Sequence, residues 1–274
     1  MPSVNINTSM EIEKSVPLHS EFLGGEGNPP MVILHGLLGS TRNWHTAGRA
    51  LTKDFAVYLL DLRNHGGSPW SDDMNFDVLV ADLKAWLDAS GLRDIVLMGH
   101  SLGGKTVMTY ACRYPERVKK LVVVDIAPKK NYSRWRNEFE LMENLDTENM
   151  KSRKDAEDYL EENGVAGWAF RKFLVSNLVR KDEGGFRWRT NIPVLGRSLP
   201  NMFAKNLTDE EHFDGPVLVI RGDRSNFVTD DDRSRFEEHF DDFTMETVID
   251  AGHNVHVDHM DGFMKALYGW LENH

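Results

Sequence analysis

Short apolar runs recur along the chain, and each stops at a small or polar residue. The run 31–34 meets His35-Gly36, 56–60 meets Asp61, and 95–98 meets Gly99-His100. Further on, 121–124 meets Asp125, 217–220 meets Arg221-Gly222-Asp223, and 247–249 meets Asp250-Ala251-Gly252-His253. Runs of this length bounded by turn residues predict buried strands of a mostly parallel sheet. Between them the spacing predicts helices. Over 76–89 the residues Phe76, Leu79, Val80, Leu83 and Leu87 form one stripe, which is a helix with one buried face. Helices are also expected over 103–114, 230–240 and 258–271. Strand–helix alternation of this kind gives a right-handed, doubly wound α/β sheet. The C-terminal ends of its strands gather on one edge, where such sheets hold their sites.

The rhythm breaks over 129–205. This stretch reads as helical, with Trp135, Phe139, Trp168, Phe170, Phe173 and Trp188 among charged residues. The expected organisation is a core of 1–128 and 206–274, with 129–205 inserted above the sheet edge as a helical cap, or lid. That insertion holds 15 Lys and Arg against 12 Asp and Glu, whereas the rest of the chain holds 17 against 31. It is thus the least acidic part of an acidic chain, as a solvated amphipathic lid would be.

Composition narrows the classes. With 274 residues, 41% hydrophobic and 27% charged, the chain can bury a sizeable core. A formal charge of −11 disfavours nucleic acid and anionic lipid as partners. A single cysteine, Cys112, excludes an internal disulfide framework and suits a reducing compartment. No apolar run approaches a membrane span, and 1–15 lacks a charged-then-apolar leader pattern. The expectation is a soluble cytoplasmic protein, a monomer or small homo-oligomer.

The strongest chemical signal is Gly99-His100-Ser101-Leu102-Gly103, a G-x-S-x-G between an expected strand and an expected helix. Such a turn strains the serine backbone and needs small flanks, which Gly99 and Gly103 supply. It sets Ser101 near a helix N-terminus, whose free N–H groups favour a developing oxyanion. A serine hydroxyl needs an imidazole to take its proton. His253 follows the last strand-like run and comes late in the chain, so it is the expected base. A metal reading of His253, His256, Asp258 and His259 reproduces no recognised ligand spacing, and His256 with Asp258 could cap the last helix. No metal or cofactor is expected. The acid that orients the imidazole has two candidates at strand ends: Asp125, the first choice, and Asp223, the alternative. Ser225 could support either the acid or the base. The oxyanion donors are expected to be the N–H groups of Leu37, in His35-Gly36-Leu37-Leu38-Gly39-Ser40, and of Leu102. His35 reads as a structural hydrogen-bonder, and Arg63 and His65 as organisers of a neighbouring loop.

Five segments together resemble the α/β-hydrolase superfamily: HGLLGS (35–40), DLRNHGGS (61–68), GHSLGG (99–104), VVVDIAP (122–128) and AGHNVH (251–256). With Phe186-Arg187-Trp188-Arg189-Thr190-Asn191 and Gly222-Asp223-Arg224-Ser225-Asn226-Phe227-Val228, the chain is similar to the small esterase branch containing YbfF and abhydrolase-domain-eleven-like proteins. The resemblance implies a mostly parallel eight-stranded sheet and hydrolysis of small-molecule esters or thioesters, including acyl-CoA types. In that branch the usual acid position can be a serine, here Ser225, and the aspartate after the preceding strand takes over, which adds weight to Asp125. Asp223 departs from the pattern and keeps the question open. The same residues would also serve a cofactor-free perhydrolase, a C–C bond hydrolase or an acyltransferase. A ligand-binding receptor with a vestigial triad is the non-enzymatic alternative. Dehalogenases and epoxide hydrolases place Asp at the elbow, which Ser101 argues against.

Overall fold

A computed structural model describes residues 15–131 and 135–274. The stretch 1–15, read above for a leader pattern, lies outside them except for Ser15. The first strands are β1 (Ser20–Gly24), β2 (Pro30–Leu34), β3 (Ala56–Leu60), β4 (Ile95–His100) and β5 (Val118–Val124). A short hairpin follows, β6 (Leu178–Arg180) and β7 (Phe186–Trp188), and then β8 (Val217–Gly222) and β9 (Phe243–Val248). The main sheet has the order β1-β3-β2-β4-β5-β8-β9, with β1 antiparallel and the rest parallel.

Among the described residues this sheet has seven strands, one fewer than the resemblance implied. Six match the six apolar runs. The seventh, β1, is a half-exposed edge strand that leaves no apolar run to read. Likewise β9 starts at Phe243, before the expected 247–249, because an edge strand of alternating, half-buried residues (FTMETV) hides its start from a hydropathy scan.

Alternation along the strands builds two cores. On β2, Val32 and Leu34 face one layer, while Met31 and Ile33 face the other. Helix α1 (His45–Leu51) packs on the second face, with the last helix described below. On the first face lie α2 (Phe76–Ser90) and α3 (Leu102–Arg113). Helix α2 begins where the Asn75 side chain accepts the Val78 N–H at 3.1 Å, and it stops at Gly91 with φ +68°. Because both faces are covered, the central strands are largely apolar, and the polar side chains of the site gather beyond their C-terminal ends.

Between β5 and β8 lie α4 (Arg136–Asn144), α5 (Arg153–Glu162), α6 (Trp168–Val175), the β6–β7 hairpin and α7 (Ile192–Met202). The helical character expected of this stretch is there, with a hairpin added. After β8 the expected helix 230–240 shortens to a 3-10 turn, Asp230–Asp232, and α8 (Arg233–Glu237). The chain ends with α9 (Val255–Asp258) and α10 (Met260–Leu271). One continuous helix was expected from 258. His259 instead breaks it, extended at φ −146°, its Nδ1 accepting the Gly262 N–H at 2.9 Å as the cap of α10. No helix among the described residues is long and apolar enough to cross a membrane.

Candidate active site

Ser101 stands between β4 and α3 at φ +53°, ψ −116°. A non-glycine residue there stores about 1–3 kcal/mol of strain, which persists only when its surroundings over-determine it. The neighbours do so. A Cβ on Gly99 would lie 2.3 Å from the Gly103 carbonyl oxygen, and one on Gly103 would lie 2.6 Å from the His35 and Leu34 carbonyl oxygens. Only glycines let the strand, the turn and the following helix approach this closely. The Ser101 N–H donates to the Val124 carbonyl at 3.1 Å, which ties the turn to the end of β5.

Asp125 follows Val124 and is fully buried, at φ +49°. Its N–H donates to the Ile220 carbonyl at 2.8 Å, so β8 fixes its backbone. The carboxylate accepts the Gly222 N–H at 3.2 Å through Oδ1. Through Oδ2 it accepts the Ser225 hydroxyl, and also the His253 Nδ1–H at 2.7 Å. The structure therefore brings Asp125, Ser225 and His253 together. Asp223 is not brought there: its side chain is exposed and has no hydrogen bond among the described residues, while its N–H pairs with the Val248 carbonyl. It follows Gly222 just beyond β8, where the chain turns as the Ser225 N–H donates to the Gly222 carbonyl at 3.1 Å, and it is the Ser225 side chain that reaches the Asp125 carboxylate.

His253 is held from several sides. Its ring stacks on Phe227, centroids 3.9 Å apart. Its carbonyl accepts the Nε2–H of His100 at 2.8 Å. Burial, with His253 and His256 close by, keeps His100 well below the usual histidine range, so it acts as a neutral donor. Ser101 and His253 line the same cavity. No hydrogen bond joins the Ser101 hydroxyl to the imidazole; such contacts commonly tighten when substrate is bound.

Facing Ser101 is the loop after β2. The Leu37 N–H has no acceptor among the described residues, and Leu102 opens α3, where first-turn N–H groups lack helical partners. Leu38 adopts φ +59° and donates its N–H to His65 Nε2 at 3.1 Å, while His65 Nδ1–H donates to the Arg63 carbonyl at 2.8 Å. Burial pushes His65 down to about 3, so the ring stays neutral and can accept. His35 likewise spends both nitrogens, on the Gly36 carbonyl at 2.7 Å and the Leu62 N–H at 3.0 Å. Arg63 forms a buried pair with Asp82 at 2.6 Å. These three residues organise the two loops, as their sequence context suggested.

The cavity over Ser101 measures about 370 Å³. His35, Gly36, Leu37, Asn43, Trp44 and His256 bound it from the sheet side, and Trp135, Ala169, Phe170 and Phe173 from the inserted stretch. Of the other aromatics singled out in the sequence, Phe139 is buried within the insertion, Trp188 donates its Nε1–H to the Met142 carbonyl at 3.0 Å, and Trp168 is exposed. The four residues weighed as metal ligands have separate jobs. His253 binds Asp125, His256 stacks flat on Trp44 at 3.8 Å, Asp258 accepts the Gly252 N–H at 2.9 Å, and His259 caps α10. His256 does not cap the last helix, because α9 carries it inward against Trp44 and Phe263.

Three contributors escaped the sequence reading. His100 was seen only as part of the serine motif, and Phe227 only as part of a family segment. Asn177, on the inserted stretch, donates its Nδ2–H to the Leu38 carbonyl at 2.9 Å, joining the insertion to the loop opposite the serine. No local pattern marks such a contact, which spans 139 residues.

The sequence matches the family described as alpha/beta hydrolase fold over residues 29–260. It is 33% identical over 280 residues to the sn-1-specific diacylglycerol lipase ABHD11 of Xenopus laevis, covering 98% of this chain and 87% of that protein. It is 31% identical to esterase YbfF of Escherichia coli (strain K12), covering 90% of this chain and 94% of that one. Among solved structures, a marine microorganism esterase superimposes with a TM-score of 0.88 at 32% identity, over 93% of this chain and 99% of the other.

Proposed function

The chain belongs to the α/β-hydrolase fold family, and from that premise we propose that this ester-cleaving hydrolase works through Ser101, His253 and Asp125, on carboxylic esters and on thioesters of the acyl-CoA kind. The observation that carries this reading is the buried Asp125 carboxylate bonded to His253 Nδ1 at 2.7 Å beside a serine on a strained turn. Asp125 holds the imidazole in the tautomer whose Nε2 can accept a proton, and it stabilises the imidazolium that forms. The Ser101 hydroxyl loses its proton to Nε2 as its oxygen attacks the carbonyl carbon. The negative charge on the carbonyl oxygen is met by the Leu37 and Leu102 N–H groups. The tetrahedral intermediate collapses as His253 passes its proton to the departing alkoxide or thiolate. Water, deprotonated in turn by His253, then releases the acid and restores the hydroxyl.

Residues 129–205 serve as a cap. Trp135, Phe170 and Phe173 give the cavity an apolar wall suited to an acyl chain. This chemistry needs no cofactor and fits a cytoplasmic enzyme whose one cysteine, Cys112, is free.

The test is a burst of p-nitrophenol from p-nitrophenyl acetate with fluorophosphonate labelling of the protein. Ser101→Ala is expected to abolish labelling and to lower turnover about 10⁴-fold or more. Retention of most turnover in that variant sinks the proposal. Graded p-nitrophenyl esters and acyl-CoAs then separate ester from thioester preference.

A further inference from the structure

Helix α3 is buried from Leu102 to Ala111, and in that setting Lys105 is anomalous. It lies one turn beyond Ser101 and is 1% exposed. No carboxylate among the described residues pairs with it. Its ammonium donates instead to two backbone carbonyls, those of Lys129 and Ala204, each at 2.6 Å. These belong to the two ends of the inserted stretch 129–205. Two oxygens bonded to one nitrogen lie within about 5 Å of each other, so a single side-chain nitrogen closes the neck through which the chain leaves the core and returns.

The surroundings reinforce that neck. The Asn131 N–H donates to the Phe203 carbonyl at 2.8 Å, one step further into the insertion. Below it, Asn206 Nδ2–H donates to the Lys105 carbonyl at 3.1 Å and to Thr109 Oγ1 at 3.2 Å. Lys129 turns its own ammonium away to Asp232. A methionine or leucine would satisfy the packing around α3 without the cost of burying a charge, which is high unless its hydrogen bonds are made. Burial, with Lys129 nearby, in fact pushes Lys105 down to about 7. The residue type is explained by the two carbonyls it holds.

We infer that Lys105 is a positioning residue that fixes the neck of the cap, and through it the distance of Trp135, Phe170 and Phe173 from Ser101. It touches no reacting atom. Its role is to make a long acyl chain meet a formed wall, and it rests on the reading of the site given above.

Lys105→Met removes the donors and keeps the length of the stem. For p-nitrophenyl octanoate its KM is expected to rise at least tenfold, with kcat within threefold. For p-nitrophenyl acetate, too short to use the wall, kcat/KM should change by less than threefold. Amide hydrogen exchange over 136–202 should speed at least tenfold while β2, β4 and β5 keep their protection. Lys105→Arg, which retains N–H donors, should recover most of both effects. Equal losses on the two esters, or unchanged exchange in the insertion, overturn the inference. If Lys105→Met does not fold, Lys105→Gln carries the same two readouts, with one amide donor group able to reach one carbonyl and an intermediate effect expected. The exchange measurement needs no turnover, so it judges Lys105 even if fluorophosphonate fails to label Ser101.

Discussion

The strand ends and the inserted stretch are built on different terms. At the strand ends, backbone bonds tie the chain to a neighbouring strand: Ser101 to Val124, Asp125 to Ile220, and Asp223, two residues before Ser225, to Val248. Glycine contacts shorter than a Cβ would allow leave no slack. The insertion instead shares an apolar cluster with one face of the core, Leu195, Leu199 and Met202 joining Leu37, Leu102 and Ile126, and adds side-chain and loop ties: Asn177 to Leu38, Asn191 to Asn64 at 2.9 Å between backbones, and the neck at Lys105. Its own surface carries exposed pairs such as Lys154–Asp158, which contribute little. On the proposed reading, the frame holds the reacting groups and the insertion shapes what they meet. Changes in the first region should therefore alter rate on every substrate, and changes in the second should alter selectivity.

The largest test of that contrast is Asp125→Asn. It leaves the imidazole without the carboxylate that fixes its tautomer, and kcat is expected to fall about 10⁴-fold on acetate and octanoate esters alike. Asp223→Asn, changed side by side, should stay within about twofold, since that side chain is exposed and unbonded. A crippled Asp223 variant beside an active Asp125 variant reverses the assignment.

Next in size is acid sensitivity. His65 and His256 are both pushed down by burial to about 3. Between the ordinary histidine value and that point, the unfolded chain binds protons that the folded one refuses, so stability falls as pH drops from about 6.5 toward 3. The loss should be on the order of a few kcal/mol per histidine. Urea unfolding at pH 7, 5 and 4 measures it, and His65→Gln should flatten the slope. Parallel slopes for both proteins would show that His65 is not held neutral.

The smallest effect belongs to the insertion. Phe170→Ala shortens the apolar wall, so kcat/KM for p-nitrophenyl octanoate should drop about tenfold, the worth of roughly 1–3 kcal/mol of lost apolar contact. Acetate should suffer less. An equal loss on both esters would mean that the wall also holds the strand-end frame in place, which blurs the division drawn here.

Legibility in the sequence followed the same division. The strand ends were readable because local constraints mark them: an apolar run, then a glycine or a charged residue, then a helix. Ser101, Asp125, His253, Leu37 and Leu102 stand at such junctions, whereas Ser225 was marked by its place three residues after Gly222, the usual acid position of the family. The edge strand β1 and the start of β9 were not readable, because half-exposed strands lack a continuous apolar signature. The break at His259 was hidden because a histidine serves as cap only once its ring finds the Gly262 N–H.

By itself, the sequence determined the alternation of strands and helices, the strained serine turn and the order in which the reacting groups follow along the chain. These depend on neighbours a few residues apart, whose sterics and periodicity act locally. Only the tertiary structure set the Asp125 carboxylate, and not that of Asp223, against the His253 ring, placed His100 behind His253, and closed the neck of the insertion on Lys105. Those outcomes join residues separated by as many as 153 positions, and packing, rather than any local pattern, chooses which distant atoms share a hydrogen bond.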